Sequence, residues 1–257
     1  MSIFSELHQQ KEAFHLGNVW DVQSALLFQN AGCKAIGTSS AAIAASLGYD
    51  DGEDMPFDDL IWMVKKIRAK VDLPLSVDIE GGYSREAKQI IENIQVLHQL
   101  GVTGINIEDS VVTETRELLD ATTFSRTISK VKSHLSKSNM DIFLNIRTDP
   151  YILALENPLK KTLERIKQYT DAGADGIFVP CLVNETDITQ AVQSTALPVN
   201  VMCMPNLPTF NKLSTLGVKR ISSGPFVYNN TVAHLEQSIH AIVKNQSFHS
   251  LFPQEAP

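Results

Sequence analysis

Several things are scarce in this chain, and each scarcity excludes something. No apolar run approaches the roughly 20 residues of a membrane span, and the first fifteen residues, MSIFSELHQQKEAFH, lack the basic start and apolar core of a signal peptide. Three cysteines among 257 residues, Cys33, Cys181 and Cys203, are too few for a disulfide framework and suit a reducing compartment. The three matches to the glycosylation pattern, at Asn184, Asn229 and Asn245, are idle without secretion. Basic residues are outnumbered, giving a formal charge of −7, which argues against nucleic acid, whose phosphates require clustered Lys and Arg. No Pro/Gly/Ser-rich linker divides the chain. The expectation is a cytoplasmic protein with one domain spanning 1–257, a length typical of a (β/α)₈ barrel.

What the chain does contain is a repeated layout. AGCKAIGTSS (31–40), LGVTGINIED (100–109), AGADGIFVP (172–180) and LGVKRISSGP (216–225) each join a Gly to a short apolar run that stops at polar groups. This reads as helix, left-handed cap, buried strand and functional loop, the unit of a parallel TIM barrel. With these as anchors, strands are expected over 15–21, 34–38, 75–80, 104–108, 142–147, 176–179, 198–202 and 220–223. Helices are expected over 57–71, 85–100, 124–135, 159–171, 185–194 and 231–244. The connection 39–56 is long enough to be functional. Segment 109–122 has no clean period and reads as a mobile loop over the strand ends. Trp62 reads as core, together with Leu60, Met63 and Val64.

Chemistry in such a barrel collects where strands end. Residues two apart on a strand share a side, so Asp78 and Glu80 converge, as do Asn106 with Glu108 and Asn145 with Arg147. Crowded carboxylates need a cation or a proton, unless they cap helices or pair with Arg147. No histidine falls at an expected strand end, so the site is all oxygen and suits Mg²⁺ rather than Zn²⁺. Arg147 could fork onto a substrate carboxylate or bridge to Glu108 or Asp149. Ser39 and Ser40 could seat an anion or simply cap a helix. No Lys ends a strand, which disfavours a Schiff-base aldolase.

Six motifs, NVWDVQSA, TSSAAIAASLGYDDGE, SVDIEGGY, GINIEDS, LNIRTD and AGADGIFVP, make the chain resemble the isocitrate lyase/phosphoenolpyruvate mutase superfamily over nearly its whole length. The resemblance implies Mg²⁺, with Mn²⁺ as a substitute, and a small 2-oxo acid at the barrel mouth. It implies that Asp78 touches the metal while Glu80, Glu108 and Asp51 hold it through water. It further implies that Ser39, Ser40, Arg147 and Asn200 bind substrate, with Arg147, Glu108 and Asp51 acting in catalysis. The shared step is making or breaking a bond beside a 2-oxo acid through an enolate. A homo-oligomer, dimer or tetramer, with an exchanged last helix is implied too.

Departures narrow this expectation. The lyase lid, a Lys-Lys/Arg-Cys-Gly-His run, and the mutase Lys-Thr-Asn-Ser run are both missing from DSVVTETRELLDATTF, and Cys181 stands where tricarboxylate lyases place a Glu. Isocitrate and methylisocitrate cleavage are therefore not expected. The resemblance points instead to the carboxyvinyl-carboxyphosphonate mutase-like and oxaloacetate-handling branch. C–C cleavage of an oxaloacetate-like acid leads, with C–P chemistry and a 2-oxo acid-binding pseudoenzyme as alternatives. Cys181 and Cys203 are candidate proton carriers or buried filler.

Overall fold

Glycine ends the helices that precede four strands: Gly32, Gly101, Gly173 and Gly217 all have positive φ, between 79° and 97°. A side chain is disfavoured there, and the reversal turns the chain directly into the next strand. The computed structural model describes residues 2–252, so the tail to Pro257 lies outside the described residues. Its strands are β1 (Phe14–Val19), β2 (Ile36–Thr38), β3 (Leu75–Asp78), β4 (Gly104–Glu108), β5 (Ser110–Val112), β6 (Arg116–Leu118), β7 (Phe143–Arg147), β8 (Gly176–Phe178), β9 (Val199–Met202) and β10 (Arg220–Ser222). Eight of these close a parallel barrel in the order β1-β10-β9-β8-β7-β4-β3-β2. This is the TIM-barrel fold expected from the alternating pattern.

Helices α2 (Val22–Asn30), α3 (Ser40–Leu47), α4 (Phe57–Arg68), α5 (Ala87–Gln99), α6 (Ala121–Lys137), α7 (Pro158–Asp171), α8 (Glu185–Gln193), α9 (Phe210–Thr215) and α10 (Phe226–Asn245) follow the strands. A short α1 (Ile3–Leu7), unforeseen from sequence, stoppers the amino-terminal end of the barrel. Its Phe4 and Leu7 are buried with Phe14, Leu16, Ala35 and Phe143. Gly104 opens β4 because a Cβ there would collide with the Phe4 ring.

Three expectations fail. Segment 109–122 is not a structureless loop: β5 and β6 pair antiparallel as a hairpin, in register Ser110 with Leu118 and Val112 with Arg116. Trp62 is 51% exposed, because α4 turns Leu60, Ile61, Met63, Val64 and Ile67 inward and leaves Trp62 outside beneath Lys66. Strand β3 stops at Asp78, and Glu80 takes a left-handed φ of 50°.

Helix α10 is anomalous. None of its 20 residues is buried, and Val232, Leu235, Ile239 and Val243 are all exposed. Apolar surface of this extent on one helix is unusual for a chain standing alone. Among the described residues no helix is long and apolar enough to cross a membrane.

Candidate functional site

The carboxyl ends of β1, β2, β3, β4, β7, β8, β9 and β10 enclose a cavity of about 130 Å³ lined by Asn18, Ser39, Ser40, Asp51, Asp78, Asn106 and Arg147, among others. That is smaller than the roughly 300–1,000 Å³ of a drug-sized pocket and suits an acid of a few heavy atoms. Ile152, Phe178, Pro180 and Met202 form its apolar side.

Asp78 ends β3 at the cavity wall. Thr38 Oγ1 accepts from its backbone N–H at 2.9 Å, and Ser40 Oγ donates to Asp78 Oδ2 at 3.0 Å. Ser39 is the N-cap of α3, its Oγ accepting from Ala42 N. The serine pair thus divides its roles, one hydroxyl capping the helix and the other steadying the acid. Burial raises the Asp78 pKa, against the pull of Arg147.

Glu80 reaches the rim by a route different from the expected strand alternation. Its left-handed turn lets Glu80 N donate to Asp78 Oδ1 at 3.2 Å and brings its carboxylate under Glu53 N, which donates to Oε2 at 2.6 Å. Glu80 Oε1 is buried without a partner. Burial first, and then the charges of Asp78, Asp51 and Glu108, push this acid up to about 8. Glu108, 2% exposed at the end of β4, is raised chiefly by burial, with Arg147 opposing.

Arg147 realises both of the alternatives left open for a bridge. Its Nε and Nη2 donate to Asp149 Oδ1 and Oδ2 at 2.7 and 3.0 Å. Its Nη1 stands 2.7 Å from Glu108 Oε2, an ion pair off the line of a hydrogen bond. Five N–H groups are available on a guanidinium, so the fork to Asp149 orients Arg147 while leaving donors on its terminal nitrogens at the cavity wall. Its charged form is strongly favoured, Glu108 and Asp149 outweighing the cost of burial.

Asn200 is placed elsewhere. It is fully buried inside the barrel, donating from Nδ2 to Asn145 Oδ1 at 2.6 Å, and it does not line the cavity. Asn145 in turn donates to Asn106 Oδ1 at 2.8 Å, which also accepts from Arg220 Nη2 at 3.0 Å. The stagger of a barrel explains this position: Asn200 is level with Arg220, the first residue of β10, and therefore a layer below the mouth. Cys181 is half-buried with its thiol against Met204, and Cys203 is exposed.

Residues that the sequence did not single out also shape the mouth. Asn18 accepts from Ser223 N and Gly224 N at 2.8 and 2.9 Å, tying β1 to the loop after β10. Arg116, on the hairpin, bonds Glu108 Oε1 and Asp51 Oδ2. Asn18 lay within a quoted motif, whereas nothing in the sequence around Arg116 signalled it.

Among the described residues no three acidic, histidine or cysteine side chains close on a single point. The rim therefore does not offer a fully protein-made metal cage. It does fit a hydrated Mg²⁺, which keeps several waters and takes one or two carboxylates directly. Asp78 stands at the wall, Glu80 has an oxygen without a partner, and Asp51 and Glu108 flank them.

Comparison with known proteins agrees with the barrel fold. The family model for phosphoenolpyruvate phosphomutase matches residues 4–243. The chain belongs to the phosphoenolpyruvate phosphomutase family. It is thereby an enzyme of the isocitrate lyase/phosphoenolpyruvate mutase superfamily, whose members are lyases and mutases. An uncharacterized protein of Mycobacterium tuberculosis is 36% identical over 238 residues, covering 93% of this chain and 86% of that one. An oxaloacetate decarboxylase of Pseudomonas entomophila is 27% identical over 236 residues, 88% of this chain and 78% of the relative. The crystal structure of a "putative phosphonomutase" from Burkholderia cenocepacia superposes with a TM-score of 0.86 at 37% identity, covering 94% of this chain and 98% of that one. A phosphonopyruvate hydrolase solved with oxalate and Mg²⁺ shares the fold, with a TM-score of 0.83 at 20% identity over 98% of this chain and 90% of its own.

Proposed function

We propose that this family member is a Mg²⁺-dependent lyase or hydrolase that cleaves a C–C bond in a small 2-oxo acid of the oxaloacetate type. The observation that carries the reading is the meeting, at one small cavity, of an acidic rim with an arginine that still has donors to give. Asp78 would hold the ion directly, with Asp51, Glu80 and Glu108 holding its water. When bound, the ion supplies Lewis-acid stabilisation of the negative charge that develops beside the keto group. Arg147, locked by Asp149, binds and orients the substrate carboxylate. Ser40 fixes Asp78, and the apolar wall of Phe178, Pro180 and Met202 limits water. Asn200 supports Asn145 from below rather than touching substrate, which amends its expected role.

The oxaloacetate decarboxylase relative and the magnesium–oxalate complex of the phosphonopyruvate hydrolase support this choice of ion and ligand. Incubating the protein with Mg²⁺ and oxaloacetate tests it. Release of pyruvate and CO₂, or of oxalate and acetate, above the metal-only rate is expected. No acceleration with any oxaloacetate-type acid would overturn the reading. A second reading, C–P bond chemistry, is favoured by the 37% identical Burkholderia protein. A ³¹P NMR assay on phosphonopyruvate separates the two, since only C–P chemistry alters the phosphorus signal.

We also infer that α10 packs on a neighbouring copy, giving a dimer or tetramer, because its apolar stripe has no cover among the described residues. A cytoplasmic setting accords with the three free cysteines.

A further inference from the structure

Hairpin β5–β6 carries Arg116 onto the acidic rim from the outer side of the barrel. Nη2 donates to Asp51 Oδ2 at 3.0 Å, and Nη1 donates to Ser110 Oγ at 2.9 Å and pairs with Glu108 Oε1. Nη1 also stands 3.5 Å from Asp149 Oδ2. The hairpin is seated on the loop that bears Asp51. Val112 packs so closely on Gly52 that a Cβ at this glycine would stand 2.5 Å from the valine Cβ.

These contacts occupy the oxygens that a hydrated cation needs. Glu108 has Arg116 and Ser110 on one oxygen and the charge of Arg147 on the other. Asp51 has Arg116 on Oδ2. Arg116 is only 16% exposed at its side chain, so its charge is poorly screened. Asp51, Asp78, Glu80, Glu108 and Asp149 crowd one rim, and Arg147 is set against Glu108 and Asp149 there. Arg116 supplies a second internal positive charge, and like charges repel.

We propose that Arg116 sets the divalent-cation affinity of this rim: it competes with the ion for Asp51 and Glu108, and hairpin 110–118 loosens as the ion enters. This rests on the metal reading given above. Metal binding and docking of the hairpin through Arg116 are then one linked equilibrium, in which each weakens the other by the same factor.

The test is calorimetric titration of chelator-treated wild type, Arg116→Gln and Arg116→Lys with Mn²⁺, together with hydrogen exchange over 110–118 with and without the ion. Removing a unit charge a few ångströms from the ion at an effective dielectric near 20 changes affinity by at least about tenfold, or ~1.4 kcal/mol. Arg116→Gln should therefore bind Mn²⁺ at least about tenfold tighter, while Arg116→Lys, keeping the charge, stays near wild type. Wild-type hairpin amides should exchange faster once Mn²⁺ is added. If the wild type takes up Mn²⁺ and Arg116→Gln binds equally or more weakly, Arg116 supports the site and the proposal is overturned. Should the Gln variant not fold, hydrogen exchange on wild type decides alone, and unchanged or stronger hairpin protection with Mn²⁺ rejects the idea. No Mn²⁺ uptake by any of the proteins sinks the metal reading itself, and this inference with it.

Discussion

Replacing Glu80 with Gln should make the metal-free protein more stable at alkaline pH, and the size of the gain can be worked from its surroundings. Glu80 is 3% exposed, with one oxygen unpartnered and three other acids acting on it. Its pKa rises from 4.5 to about 8 on folding. Between those values the folded state holds a proton that the unfolded state has lost. Stability therefore falls as pH rises through that window, because the native state binds more protons. At about 1.36 kcal/mol per pH unit, the loss is roughly 3 kcal/mol by pH 7 and approaches about 5 kcal/mol above pH 8. A neutral, isosteric glutamine keeps an acceptor for Glu53 N and removes the ionisation. Urea unfolding of chelator-treated protein at about pH 5.5 and pH 8.5 would show this: wild type loses stability between them, and Glu80→Gln loses roughly 3 kcal/mol less. Mg²⁺ should restore the wild type at the higher pH, and near pH 6.5, where Glu80 still holds its proton, binding should release that proton, measurable in buffers of different ionisation enthalpy. A Glu80→Gln curve parallel to wild type would show that the carboxylate is ionised and stabilised in the apo protein, and the argument from its burial would be wrong.

Three further outcomes follow from the same structure. Asp78→Asn should weaken Mn²⁺ uptake by at least ~100-fold in calorimetry, because it removes the only charge at the cavity wall assigned to direct contact; retained affinity would move the ion elsewhere. His8, stacked on Phe143 at 4.0 Å and driven by burial to about 3, stays neutral in the fold. Its folded pKa lies below the unfolded 6.5, so stability is lost as pH falls through that window, by roughly 3 kcal/mol at about pH 4; His8→Phe should flatten that slope in acid titrations of unfolding. Leu235→Glu with Ile239→Glu should reduce the particle mass in light scattering to that of a single chain, and a wild type already monomeric at tens of micromolar would remove the oligomer reading.

The legible parts of this fold were those whose determinants are local. Strand β4 was read to its limits, Gly104–Glu108, because an apolar run sits between a capping glycine and an acid. The glycine caps before β2, β8 and β10 were legible for the same reason. Hairpin β5–β6 was not, since its two three-residue strands are held by ion pairs to Asp51 and Glu108, residues on other elements. Asn200 shows a second limit. Alternation along a strand tells which side a residue faces, but not how deep it lies, which depends on the stagger of eight strands. Trp62 shows a third: an aromatic in a helix pattern is drawn toward the core by its size, yet the 3.6-residue period set by Leu60, Val64 and Ile67 turned it outward.

The departures at the rim bear on where a proton could come from. The hairpin occupies the segment where resemblance to isocitrate and methylisocitrate lyases would imply a cysteine-bearing lid, and it brings no acid or thiol into the cavity lining; its reach to the rim is made by Arg116, a group that cannot give up a proton at ordinary pH. Cys181 has its thiol pushed up by burial and turned against Met204, which argues against it as the carrier. Glu80 and Glu108, both held toward the neutral form in the absence of an ion, lie beside the cavity but lose their protons if a cation is bound. On the function proposed above, a bond cleavage that generates a carbanion beside a 2-oxo group would then take its proton from water. Within that proposal, a reaction that needs no protein acid, such as decarboxylation, would suit this rim better than one that must protonate a leaving group within a closed site.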